Sequence, residues 1–358
     1  MRKFRLLAIA FLSVSAIAVA QDAQFEPGSE RPMFARLPAT LHSPRNRIEA
    51  ASTPLKTWNG SFTSNGTTFH YNMVGVPPFP SSSAKIPTVV IPIKIVLSNG
   101  ATFDPATKLT NGKTATQNTL ASPIFTSTVD FKSGGVDMGK TQYIDAFQRA
   151  NFWDTTGNPS HLLLRTPTVK PEQTLKVPKR SGTEGVVFGF TAGLVDIGYF
   201  DAQLHTLLTN LGITPNTFPI FLTFDVYLIQ NRKCCVGGYH SSTGTTTAPQ
   251  AYASAAYVNH VGAFAQDVSA LSHEVGEWAD DPLVVNVSGN STPCGSLEVG
   301  DPLENNANFG AFQYTANGFT YNLQDLVTLP YFGAPPSTSV NKEFSFHGES
   351  LTVCQNGS

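Results

Sequence analysis

Asp267-Val268-Ser269-Ala270-Leu271-Ser272-His273-Glu274-Val275-Gly276-Glu277-Trp278-Ala279-Asp280-Asp281-Pro282 is the stretch whose reading decides the fold. Val268, Leu271, Val275 and Trp278 recur at steps of three, four and three, the spacing of one apolar helix stripe. Asp267 suits the N-cap and Pro282 the stop, so a helix is predicted from about Asp267 to Asp280. His273 and Glu277 then fall on the face opposite the stripe, one turn apart, where their side chains can converge. Glu274 points to the side between them and the stripe.

That geometry is what a helical metal site needs. In the His-Glu-x-x-His pattern the first and fifth positions bind Zn²⁺, and the Glu beside the first ligand takes a proton from the activated water. Here the fifth position is Glu277. A carboxylate binds zinc at about 2.0–2.2 Å. It also weakens the metal as a Lewis acid and widens the choice toward Mn²⁺, Fe²⁺ or Ca²⁺. A third ligand is sought downstream, in Cys294-Gly295-Ser296-Leu297-Glu298-Val299-Gly300-Asp301-Pro302. Either Glu298 binds the metal, or Asp301 does with Glu298 behind it. The metal set is therefore His273, Glu277 and Glu298 or Asp301, with Glu274 as general base. The plainer alternatives are a solvated, charged helix face for His273, Glu274 and Glu277, and turn chemistry for Glu298 and Asp301, flanked by Gly300 and Pro302.

Working outward, Gln250–Val258 reads as the strand before this helix, and Phe218–Ile229 as a single buried strand. By analogy with zincin folds, Ala251–Val258 is expected to be an edge strand along which an extended peptide substrate lies. Val195–Leu211 reads as a helix ending at Gly212, and Gln142–Phe152 as another. Ile86–Leu97 is a long Val/Ile-rich strand in which Pro87 and Pro92 mark an edge or a bend. Trp58–Thr63 and Thr68–Val74 flank a Ser64-Asn65-Gly66 turn, a hairpin signal. Phe309–Tyr331 alternates as strands do. Helices and strands mix without regular alternation, so the class is α+β. A β-rich part is expected over 56–190 and a zincin-like metal-site part over 191–358, as two parts or one continuous domain, after a polar extended arm or pro-segment over 21–55.

The chain opens with Arg2, Lys3 and Arg5, an apolar stretch Leu6–Ala20, and small residues Ala18-Val19-Ala20. That is the pattern of a secretory signal peptide cleaved after Ala20, the alternative being an uncleaved anchor. The expected setting is extracellular or periplasmic, with no membrane span in the mature chain. Charged residues are 13% of the chain and the net charge is −2. No basic cluster exists to hold nucleic acid. Of the four cysteines, Cys234 and Cys235 are neighbours. A bond between them lies outside the usual Cα separation, so each is expected to reach out, one to Cys294 and one to Cys354, the plainer alternative being a vicinal pair that stays reduced or, rarely, bonds to itself. A tie to Cys294 would bring the Glu298 segment beside Gly237-Gly238-Tyr239-His240. His240 then becomes a fourth ligand or a donor to a developing oxyanion, although an ordinary loop histidine is the plainer reading.

Ser272-His273-Glu274-x-x-Glu277-Trp278-Ala279-Asp280-Asp281-Pro282, with Glu298-Val299-Gly300-Asp301, resembles secreted bacterial proteins that carry His-Glu-x-x-Glu, then Asp-Pro, then Glu-Ile/Val-Gly-Asp. With the Cys235-Val236-Gly237-Gly238-Tyr239-His240 loop it distantly resembles the EXORDIUM-like (phosphate-induced) family of plant cell-wall proteins. The resemblance covers roughly residues 220–325. It implies a zincin-like C-terminal half and an extracellular setting. Two functions are expected from these readings. One is a secreted zinc metallopeptidase-like hydrolase acting on an extended peptide or protein. The other is a non-catalytic cell-surface protein with a structural cation such as calcium, suited to carbohydrate or envelope contacts.

Overall fold

The structure is a computed structural model that describes residues 30–46, 49, 51–64, 67–79, 82–133, 136–152, 160–286, 298–328 and 344–347. The leader expected at 1–20, Cys294 and Cys354 lie outside the described residues. In chain order the strands used below are Thr40–His42 (β1), Thr88–Leu97 (β2), Thr168–Val169 (β3), Gly182–Val187 (β4), Phe190–Asp196 (β5), Phe218–Phe224 (β6), Val226–Gln230 (β7), Lys233–Val236 (β8), Gly238–Thr245 (β9) and Pro249–Tyr257 (β10). The helices are Ala115–Ala121 (α1), Tyr143–Asn151 (α2), Ile197–Asn210 (α3) and Ser269–Asp280 (α4). The molecule is mixed α+β and strand-rich. No helix among the described residues is long and apolar enough to cross a membrane.

The largest sheet runs β1-β9-β10-β6-β2-β3, with Thr102–Phe103 and Gln173–Val177 also paired to β2. β10 is antiparallel to β9 and parallel to β6, and β6 is parallel to β2. β2 is buried almost end to end because both faces are covered, which is why it reads as a continuous Val/Ile run. Ile91, Ile93, Ile95 and Leu97 pack with Phe200, Leu204 and Leu208 of α3. Val90 belongs to the opposite core, which holds Leu271, Val275 and Trp278 of α4. The sheet is thus clamped between two apolar layers. A second sheet, β4-β5-β7-β8, carries the chain back toward the first.

Several expectations change here. β2 is not an edge: it pairs with β6 on one side, and with β3 and then Gln173–Val177 on the other. Pro92 falls between those last two pairings, where the missing N–H interrupts no ladder. The single strand expected over Phe218–Ile229 is two strands in two sheets. Asp225 breaks it at φ 50° and accepts a hydrogen bond from the Asn259 N–H at 2.8 Å. The hairpin forms as Thr57–Ser64 with Thr67–Val74, its turn residues Asn65 and Gly66 lying outside the described residues. α2 falls where the periodicity places it, and α3 starts at Ile197 because Val195 and Asp196 end β5 and the Asp196 side chain caps the helix. The final alternation forms the hairpin Ala311–Ala316 with Phe319–Gln324, and its last residues, 329–331, lie outside the described residues.

α4 starts at Ser269, and Val268, not Asp267, occupies the N-cap position. Asp267 sits at φ 44°. Its carboxylate instead accepts from the Val268 N–H and from the Asn322 backbone N–H and side-chain amide, the last two at 2.9 and 2.6 Å, so it ties the helix start to the C-terminal hairpin. The expected stripe packs on β10, whose Ala253 and Ala255 allow a close approach, and Trp278 stacks on Phe218 with centroids 3.7 Å apart. The opposite face is also covered, so every residue of α4 is buried.

Two further corrections concern the neighbourhood of that helix. Cys234 and Cys235 are bonded to each other across a cis peptide, with Cα atoms 3.0 Å apart. The expected partners assumed the wider separation of a trans pair. Both side chains are buried within the β8 segment. Ala251–Val258 is not an edge strand either, because β10 is paired on both sides. The outer strand beside α4 is β9, and its edge is occupied by the N-terminal arm. Arg31 N–H donates to the Cys234 carbonyl at 2.8 Å, Met33 N–H to Cys235 at 3.1 Å and Ala35 N–H to Gly238 at 3.1 Å. β1 continues the same parallel run against Thr243–Thr245.

Candidate metal centre

α4 brings His273 and Glu277 together as one helical turn requires. His273 Nε2 lies 3.0 Å from Glu277 Oε1 and 3.4 Å from Asp301 Oδ1. The ring is fully buried, yet among the described residues neither of its nitrogens makes a contact of hydrogen-bond geometry. Buried polar atoms are normally satisfied, so a histidine in this state asks for another partner. The ring is tightly packed. Phe34 stacks on it with centroids 3.6 Å apart and planes at 20°. Gly300 lies on the ring as well: a Cβ there would collide with His273 Nδ1 and Cε1.

Glu277 is oriented by backbone. Its Oε1 accepts from the Gly300 N–H at 3.1 Å and the Asp301 N–H at 3.3 Å. The Glu-Val-Gly-Asp segment therefore serves the helix through main-chain donors as well as through its carboxylates. Its two acidic residues divide between two groupings. His273, Glu277 and Asp301 place ligand atoms within 4.8 Å of one another, and so do His240, Glu277 and Glu298. Glu277 belongs to both. The carboxylate that converges with His273 is Asp301, and Glu298 converges with His240.

His240 comes from β9, opposite Ala253 in the ladder. Its Nε2 lies 3.1 Å from the Asp281 carbonyl, an acceptor only, so Nε2 carries the proton. Burial holds the ring down to about pKa 3, hence neutral, which leaves a lone pair on Nδ1. That atom faces Glu274 Oε2 at 3.3 Å and Glu277 Oε2 at 3.8 Å. Neutral His240 is therefore built as an acceptor or ligand at Nδ1 rather than as an oxyanion donor there. Glu274 lies against Gly238, where a Cβ would come within 2.8 Å of its Oε1.

The electrostatics follow from burial. Glu274, Glu277 and Glu298 are each 5% exposed or less, and burial, helped by mutual repulsion, pushes all three well above the usual carboxylate range. Burial, with Asp301, raises Glu304 to about 7. Burial opposes protonation of His273, but the Asp301, Glu274 and Glu304 carboxylates overcome it and raise the ring. Arg36 supplies positive charge from the rim, with Nε 3.3 Å from Glu298 Oε1 and Nη2 3.6 Å from Asp281 Oδ2. A crowd of buried carboxylates around two imidazoles, one of them unsatisfied, fits a divalent cation. Oxygen and nitrogen donors of this kind suit zinc, manganese or calcium without choosing among them.

Sequence reasoning missed Phe34, Arg36, Asp281 and the packing roles of Gly238 and Gly300. The two arm residues meet the site across more than 230 positions of chain, and no local pattern marks them. No protein-family model, curated protein or solved structure matches the chain.

Proposed function

We propose that this chain is an exported metal-dependent hydrolase with a zincin-like helix, most simply a peptidase. The observation that carries the reading is His273: a fully buried imidazole whose Nε2 faces the carboxylates of Glu277 at 3.0 Å and Asp301 at 3.4 Å, while its Nδ1 has no hydrogen-bond partner among the described residues. His273, Glu277 and Asp301 would hold the cation, with His240 and Glu298 able to share it through Glu277. A bound divalent cation would polarise a substrate carbonyl and acidify water. Glu274 then takes the proton from the attacking water. Its Oε1 has no hydrogen-bond partner among the described residues, which leaves it open to that proton. Phe34 and Gly300 keep the His273 ring in plane.

The oxygen-rich ligand set supports a second reading, an extracellular binding protein in which the cation is structural, calcium being the natural choice. Elemental mass spectrometry of the purified chain beside a His273→Ala/Glu277→Ala variant separates them. Near-stoichiometric zinc, lost in the variant, supports the hydrolase. Calcium alone favours the structural role, and no metal in either protein removes both.

A further inference from the structure

The N-terminal arm lies where an extended ligand of the centre would lie. β10 is paired on both sides, so the backbone open to a further strand beside α4 is the outer edge of β8 and β9. Residues 31–35 occupy it with five main-chain hydrogen bonds to the Cys234–Gly238 segment. The arm's side chains alternate as a strand's do. Met33, Ala35 and Leu37 turn to the core that holds Tyr239 and Tyr252. Phe34 and Arg36 turn to the metal centre, the ring onto His273 and the guanidinium onto Glu298 and Asp281. An aromatic ring and a cation thus fill two adjacent positions of the site, and both belong to the same chain. The Arg36 side chain is 46% exposed, so the arm leaves the site through an open rim at that position.

We propose that residues 31–36 are an internal stand-in for the substrate. The groove between the β8–β9 edge and α4 takes an extended peptide with an aromatic side chain and, two residues on, a basic one. The arm must leave before such a peptide binds. The proposal rests on the hydrolase reading for what happens to the peptide, but not for its binding. Main-chain pairing supplies general affinity for extended chains, and the two side-chain positions supply selectivity.

The test uses full-length protein and a fluorescein-labelled peptide with the sequence of Arg31–Leu37, followed by anisotropy. Two opened forms are compared with the parent: a Phe34→Ala/Arg36→Ala variant, and a chain with a specific-protease site replacing Ser43–Asn46, cut after folding. The parent is expected to bind the peptide weakly and both opened forms tightly. A control peptide with alanine at the Phe34 and Arg36 positions should bind about tenfold weaker or worse, as loss of anchoring side chains implies. Opened forms that keep their circular dichroism but do not bind the peptide, or bind the control equally, overturn the proposal. If the double variant fails to fold, the cut form decides. Metal content measured in parallel separates the two ideas. Metal uptake without peptide binding removes the groove and leaves the hydrolase, whereas peptide binding by a chain that takes up no metal keeps the groove and removes the hydrolase.

Discussion

The Phe34 ring lies nearly parallel to the His273 imidazole, 3.6 Å between centroids, while Gly300 packs so close to the imidazole that a Cβ there would collide with its Nδ1 and Cε1. One residue comes from the arm, the other from the segment after α4. A histidine held this way has little freedom to turn, which is what a ligand needs if it is to meet a cation without reorganisation.

Gly300→Ala is expected to damage the centre directly. The Gly300 backbone is in the right-handed helical region, so alanine is permitted by φ and ψ and the effect isolates the clash with the ring. Overpacking of this kind costs about 1–3 kcal/mol. Metal affinity, read by competition with a chromogenic chelator, should fall about tenfold or more. Unchanged affinity and unchanged Tm would mean that His273 is not confined as described.

Glu274→Gln should separate binding from chemistry. The amide keeps the size of the side chain beside Gly238 but cannot accept the proton. Metal content should stay as in the parent, and peptide turnover should drop about 10²-fold or more. Retained turnover in a metal-loaded variant would remove Glu274 from the mechanism.

The stability of metal-free protein should fall as pH rises. Burial raises the folded-state pKa of Asp281 to about 6, Asp267 and Glu304 to about 7 and Asp280 to about 8, all above their unfolded values. Between the unfolded and folded pKa values the folded state binds more protons, so its stability declines with pH across that window. In EDTA, Tm should therefore drop between pH 5 and pH 8, roughly the window these values set. Added zinc should flatten the decline, because a cation replaces the protons at the carboxylates it binds. A chelated protein whose Tm rises toward pH 8 contradicts this account.

Asp267→Ala should loosen the start of α4. The change strands the buried Asn322 N–H and amide donors, which bond Asp267 at 2.9 and 2.6 Å. Leaving such groups unsatisfied costs about 1–3 kcal/mol each. Urea unfolding should show the midpoint reduced with an unchanged slope. No shift in the midpoint would show that these bonds do not anchor the hairpin to the helix.

The α4 apolar stripe, the one-turn spacing of His273 and Glu277 and the relevance of Glu298 and Asp301 were legible in the sequence, because 3.6-residue periodicity is local information. The Asp267 cap was misread for the converse reason: a partner 55 positions away, Asn322, competes for the carboxylate. Ala251–Val258 looked like an edge because nothing in its own residues says which strands flank it. The cysteine pairing failed on a backbone geometry that residue types do not display.

By itself the sequence determined the α+β class, the buried Val/Ile strand, and the placing of His273 and Glu277, residue types able to bind a metal, on one helix face. Those depend on side-chain chemistry repeated at short range. Only the tertiary structure decided that the acidic face of α4 is buried, that Asp301 joins His273 while Glu298 joins His240, and that the arm lies on the β9 edge. Those depend on contacts between segments far apart in the chain, made where burial of apolar side chains and satisfaction of backbone hydrogen bonds are met together.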